Sequence, residues 1–240
     1  MQIQSYTLED CAAARDVVVV IDVMRAFTTA AYAFAAGAGE ILLAGTVEQA
    51  LQLGSKLAKE GPVAVVGEAG GMPVAGFDYD NSPSQLQAAN LQGYRLVQRT
   101  TAGVQGLLRC QEAEVLLAGS FVVAGATLRY LRALAPERLA LVVTGDRPDV
   151  QPPYAAVEDR ALAEYLQAAL RSPPDQPPDP QPFLQQARGW QPTPGRQDAS
   201  SPRLRRDLEL AARLDVFNFA LPVHRRGEHL VIQPRPVPAG

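Results

Sequence analysis

The sequence predicts an α/β fold, a three-layer α/β/α sandwich built on a mostly parallel sheet. Two observations carry that expectation. Short apolar runs rich in β-branched residues recur at 16–23, 62–67 and 138–143, and a strand that is apolar on both faces is one covered by helices on either side. Helix-length segments separate such runs, and strict alternation of strand and helix marks a parallel sheet.

The elements follow in order. Residues 16–23 form a central strand, and Thr28 and Thr29 can cap a helix over 30–36 that stops at Gly37. A strand at 40–44, a helix at 47–59 and a strand at 62–67 lead to Glu68 and a loop rich in glycine and aspartate. A short helix begins near Pro83, where Asn81-Ser82-Pro83 is a good turn into a helix. Strands at 94–99, 114–118 and 138–143 alternate with a helix after Gly103 and another over 122–134. A helix over 154–170 precedes a proline-rich stretch, 172–201, which reads as an irregular excursion. A last helix, 202–214, leads to strands at 216–222 and 229–233 that are expected to close an edge of the sheet. Residues 1–150 are then an α/β core carrying the site, and 151–240 complete the fold.

Composition narrows the function. The 240 residues are 47% hydrophobic and 20% charged with a formal net charge of −3, which gives no reason to expect nucleic acid or an anionic membrane as partner. No apolar stretch approaches the roughly 20 residues of a membrane span, and the start has no basic region leading an apolar one, so a cytoplasmic protein is expected. Cys11 and Cys110 make no CxxC pair, and no arginine stands six positions after Cys110 to serve a cysteine phosphatase. His224 and His229 receive no role. The small-residue helix over 30–36 can pack either inside the chain or against a second copy.

The chemistry concentrates where strands end. Asp22, Glu68, Thr100, Thr101, Ser120 and Asp146 each follow an apolar run, and ligands of open α/β sheets bind beyond the carboxyl ends of strands. Several acids at one sheet edge repel one another unless a cation joins them. Asp22, Glu68 and Asp78, with Asp80 as substitute, are therefore the expected ligands of Mg²⁺, a hard ion that takes oxygen donors. Arg25 can bind phosphate oxygens in a bidentate manner. The turn Thr100-Thr101-Ala102-Gly103, between a strand and a helix, can present hydroxyls and free N–H groups to an anion. Gly70, Gly71 and Gly76 permit close backbone approach.

These pieces, in this order, resemble the 2-phosphosulfolactate phosphatases. The likeness rests on residues 17–29, Gly67 through Pro83, Arg99-Thr100-Thr101, Gly119-Ser120-Phe121-Val122 and Glu158-Asp159. It implies a Mg²⁺-dependent phosphatase that hydrolyses 2-phospho-3-sulfolactate, or a similar small phosphorylated acid, to 3-sulfolactate and phosphate. The family pattern carries over to Asp22, Arg25, Glu68, Gly71, Gly76, Asp78, Asn81, Ser82, Thr101 and Ser120. Three positions depart from it: Ala69 stands where arginine is usual, Asp80 where glycine is usual, and Ala102 where asparagine is usual. Met24, two residues beyond Asp22, cannot transfer a proton, which argues against a haloacid-dehalogenase mechanism and for attack by water over an aspartyl-phosphate on Asp22. Two rival readings stay open, a protein that binds a phosphorylated metabolite without turnover and another metal-dependent hydrolase on the same scaffold.

Overall fold

A computed structural model describes residues 1–145, 156–192 and 200–238. Asp146 and the start of the helix expected from residue 154 lie outside them. The chain opens with β1 (Gln2–Thr7), a mostly polar strand that the sequence pattern does not mark, and continues through β2 (Asp16–Ile21), α1 (Ala26–Ala35), β3 (Glu40–Leu43), α2 (Val47–Leu57) and β4 (Val63–Gly67). Then come β5 (Tyr79–Asp80), α3 (Pro83–Gln87), β6 (Arg95–Arg99), α4 (Gly103–Arg109), β7 (Ala113–Gly119), α5 (Ala124–Leu134) and β8 (Arg138–Val143). The last elements are α6 (Val157–Arg171), α7 (Gln181–Arg188), α8 (Pro202–Ala211), β9 (Phe219–Arg226), β10 (His229–Ile232) and β11 (Arg235–Pro236). No helix among the described residues is long and apolar enough to cross a membrane.

The strand order is β1-β8-β2-β7-β9-β10-β3-β6-β4-β5, with β11 paired to β9. The C-terminal strands therefore stand in the middle of the sheet, where an edge position was expected. Their own residues give the reason: Ala220, Leu221, Leu230, Val231 and Ile232 are buried, and strands so apolar need cover on both faces. β7 pairs antiparallel with β9, β9 with β10, and β10 with β3. Three reversals make the two flanking parallel groups, β1-β8-β2-β7 and β3-β6-β4-β5, run in opposite directions.

In a flat sheet the ends of β2 and β6 would lie on opposite edges, five strand spacings or roughly 24 Å apart. Yet the Gly103 N–H, just past β6, donates to Asp22 Oδ2, just past β2, at 2.8 Å. The sheet must fold over about the β9–β10 hairpin to allow this. The core agrees: Val18, Val20, Ala118 and Val142 from one group share a cluster with Ile41, Leu43, Val66 and Leu96 from the other, and Phe27, Ala30 and Ala31 of α1 fill the space between. The small residues of α1 serve this inner layer, because alanine lets two sheet faces approach one helix.

Alternate residues point outward. Val17, Val19, Ile21, Leu139 and Leu141 meet Leu128 and Leu131 of α5 and Leu162 and Leu166 of α6, whereas Leu42, Val65 and Val97 meet Ala50, Leu53 and Leu57 of α2. Each half of the sheet thus has helices on both faces, and the two halves share one helical layer. The excursion after residue 172 holds α7, with Pro180 and Pro182 in its first turn, where a missing N–H costs nothing, and Leu184 and Ala187 buried in the outer cluster.

Candidate active site

Asp22 follows directly on β2. Its Oδ1 accepts the Ala26 N–H at 2.9 Å, so an aspartate four residues back receives the first N–H of α1, and Thr28 and Thr29, expected as caps, lie inside the helix. Thr28 Oγ1 donates to the Val23 carbonyl at 2.8 Å and takes a hydrogen bond from Ser120 Oγ at 2.6 Å. Asp22 Oδ2 accepts from Gly103, where an added Cβ would stand 2.7 Å from that same oxygen. Burial pushes the Asp22 pKa up to about 6; the two N–H donors act against the rise and the charge of Glu68 adds to it. The loop that carries Asp22 is held from α6, where Asp159 Oδ1 accepts the Val23 N–H at 2.7 Å.

Glu68 follows β4. Gly67 before it has a φ of 143° and an ideal Cβ there would lie 1.8 Å from the Arg99 carbonyl oxygen, so only glycine lets β4 pass β6 at this point. The Glu68 carboxylate accepts the Thr101 N–H on Oε1, and on Oε2 it accepts the Thr101 hydroxyl at 2.9 Å and the Gly71 N–H at 2.5 Å. Here the expectation for the Thr100–Gly103 turn needs correcting. Its N–H groups at Thr101 and Gly103 serve the protein's own carboxylates, and Thr100 Oγ1 accepts the Val104 N–H at 3.0 Å as a helix cap. The turn binds Glu68 to Asp22 and leaves those donors unavailable to an outside anion.

Arg25, Glu68, Gly71, Asp80, Asn81, Arg203 and Leu204 line one cleft of 220 Å³. Drug-sized ligands occupy roughly 300–1,000 Å³, so a smaller molecule fits. Arg25 is held from below by Asp207, fully buried on α8, through a 2.9 Å ion pair. The other oxygen of Asp207 accepts from Ser82 Oγ at 2.8 Å, Ser84 Oγ at 2.6 Å and the Ser84 N–H at 3.0 Å. Ser82 is therefore a support for the cleft and does not line it. Asn81 is buried, and its Oδ1 has no hydrogen-bond partner.

Not every expected residue joins this site. Asp78 Oδ2 accepts the Val65 N–H at 2.7 Å, which pins the loop to β4, and Asp80 pairs with Arg203 at 2.8 Å. Among the described residues no three His, Cys, Asp or Glu side chains gather as a metal-holding group, so Asp78 does not complete a triad with Asp22 and Glu68. Ser120 and Gly76 lie outside the cleft lining. Arg203 and Asp207 went unread because both sit in the last helix. One signal existed for Asp207: it stands on the same stripe as Leu204 and Leu210, all three buried, and an acid on an apolar stripe demands a partner.

Comparison with known proteins finds relatives of one description. Relatives described as "Probable 2-phosphosulfolactate phosphatase" include those of Bacillus subtilis (strain 168), 34% identical over 65% of this chain and 64% of its own length, and Deinococcus radiodurans, 38% identical over 64% and 62%. One from Thermus thermophilus is 36% identical over 63% of this chain and 62% of its own length. The chain thus spans a little under two thirds of these relatives. The family model described as 2-phosphosulpholactate phosphatase matches residues 3–186, and this chain belongs to that family.

Proposed function

We propose that the chain is a phosphatase that hydrolyses 2-phospho-3-sulfolactate, or a close relative among small phosphorylated acids, with Mg²⁺ as cofactor. The observation that carries this reading is the meeting of two carboxylates, Asp22 and Glu68, beside the Arg25 guanidinium of a small cleft. Family membership and the relatives' names favour the same chemistry.

The donor set fits Mg²⁺. That ion is commonly held by one or two carboxylates together with water and substrate phosphate oxygens, and Asp22 and Glu68 are two, brought close enough that the charge on one opposes ionisation of the other. When bound there, the ion would supply positive charge for the phosphoryl oxygens. The chain's own groups do the rest. Arg25, with one nitrogen on Asp207, keeps further N–H donors for phosphoryl oxygens. Asn81 adds a side-chain amide to the cleft lining. The Thr101 and Gly71 donors fix the orientation of Glu68 before any substrate arrives, and such preorganisation is the main source of catalysis in phosphoryl transfer.

Water is the favoured nucleophile. Its oxygen bonds to phosphorus as the P–O bond to the acid's C2 oxygen breaks, and its proton passes to that leaving oxygen. Asp22 suits direct attack poorly, since the residue does not line the cleft. The test is release of inorganic phosphate from 2-phospho-3-sulfolactate with Mg²⁺ and with EDTA. Turnover with Mg²⁺ and its loss in EDTA are expected; tight binding without phosphate release would replace the phosphatase with a metabolite-binding protein.

A further inference from the structure

Resting on the phosphatase reading, we propose that Arg203 of α8 is the specificity residue that reads the second acidic group, carboxylate or sulfonate, of the phosphorylated acid. The cleft is lined by two guanidiniums, Arg25 and Arg203. They are held alike: each has an ion pair to one aspartate, Arg25 to Asp207 at 2.9 Å and Arg203 to Asp80 at 2.8 Å. One pairing occupies part of a guanidinium's five N–H donors, so each arginine keeps donors for a ligand. Arg25 is the deeper of the two, 11% exposed, beside Glu68 and the phosphate-handling groups; Arg203 is 47% exposed.

A purely structural role accounts poorly for Arg203. An ion pair this exposed adds little to stability, and Arg203 is the second residue of α8, where the helix dipole disfavours a cation. A charge placed against local preference at the rim of a cleft is what a binding function explains. Asn81 lines the same cleft as Arg203, and its side-chain amide carries two N–H donors as well as the oxygen. A molecule with phosphate on Arg25, a second acid on Arg203 and a polar group near Asn81 matches this lining. A phosphate ester without a second acid leaves Arg203 with no ligand.

The experiment compares kcat/KM for three phosphomonoesters: 2-phospholactate (carboxylate), O-phosphoisethionate (sulfonate) and isopropyl phosphate (no second acid). In wild type the two acids are preferred over isopropyl phosphate. In Arg203→Gln that preference falls by about 10–100-fold, the loss expected for one charge-assisted hydrogen bond, and Arg203→Lys recovers part of it. The acid whose preference falls further is the one Arg203 reads. An equal loss on all three esters, or an unchanged preference in Arg203→Gln, overturns the assignment. If wild type releases phosphate from none of them and from no 2-phospho-3-sulfolactate, the phosphatase reading fails separately. The same three compounds are then titrated by calorimetry: a preference for the acids that disappears in Arg203→Gln upholds the role of Arg203, and no preference, or one that survives, refutes it.

Discussion

Asp22→Asn tests the electrostatic centre of the site through stability, independently of activity. Burial raises the Asp22 pKa from its ordinary 3.8 to about 6, so ionised Asp22 costs the folded state about 3 kcal/mol relative to the unfolded chain. The direction follows from which state loses its proton first. Below pH 3.8 the group is protonated in both states and there is no cost. As pH rises from 3.8 to about 6 the unfolded chain ionises first, stability falls, and above 6 the whole cost remains. Asparagine cannot ionise, so this decline vanishes in the variant. Asparagine has one acceptor oxygen for the two N–H groups of Ala26 and Gly103, and the donor left over adds a cost of about 1–3 kcal/mol that does not depend on pH. Urea unfolding of both proteins in EDTA, followed by circular dichroism from pH 3.5 to 7.5, separates the two contributions. The variant should gain about 2.4 kcal/mol on wild type between pH 4 and 7. A difference constant within about 0.5 kcal/mol across that range would refute the account of a buried, destabilised carboxylate.

Three further outcomes follow from the same geometry. Mg²⁺ should raise the melting temperature of wild type more at pH 7 than at pH 4.5, because it binds the ionised carboxylates, and calorimetric scans of Glu68→Gln should show that rise lost. Asp207→Ala strips the counter-charge from the nearly buried Arg25; a loss of about 3–5 kcal/mol in urea unfolding is expected, with Asp207→Asn losing less stability but showing a raised KM. Gly67→Ala forces a Cβ to within 1.8 Å of the Arg99 carbonyl at a φ of 143°, and a loss above about 3 kcal/mol would appear as a lowered urea midpoint; a midpoint like that of wild type would contradict the close passage of β4 and β6.

Much of the fold was legible locally. Runs such as 17–21 and 139–143 are apolar on both faces, and only a strand buried on both sides tolerates that. Edge strand β1, with polar residues at four of its six positions, lacks such a mark, and α7 hides behind prolines that also punctuate loops. In the candidate site, Asp22, Glu68 and Arg25 stand out in the sequence because each lies at or just past the end of an apolar strand run. Asp78 sits in the loop just before β5, and its bond to Val65 is a contact across 13 residues that no spacing rule reveals.

The order of residues by itself determined the buried central strands, and that Asp22, Glu68, Thr100 and Ser120 each stand just past the end of one. Local propensity and patterning act over a few residues, and these features need no more. Only the tertiary structure decided that β9 and β10 join two opposed half-sheets, that the sheet folds until Gly103 touches Asp22, and that α8 brings Asp207 beneath Arg25 and Arg203 to the cleft rim. Those choices belong to hydrogen-bond ladders and ion pairs between residues far apart in the chain, 182 positions for Arg25 and Asp207, whose energies depend on the whole chain being in place at once.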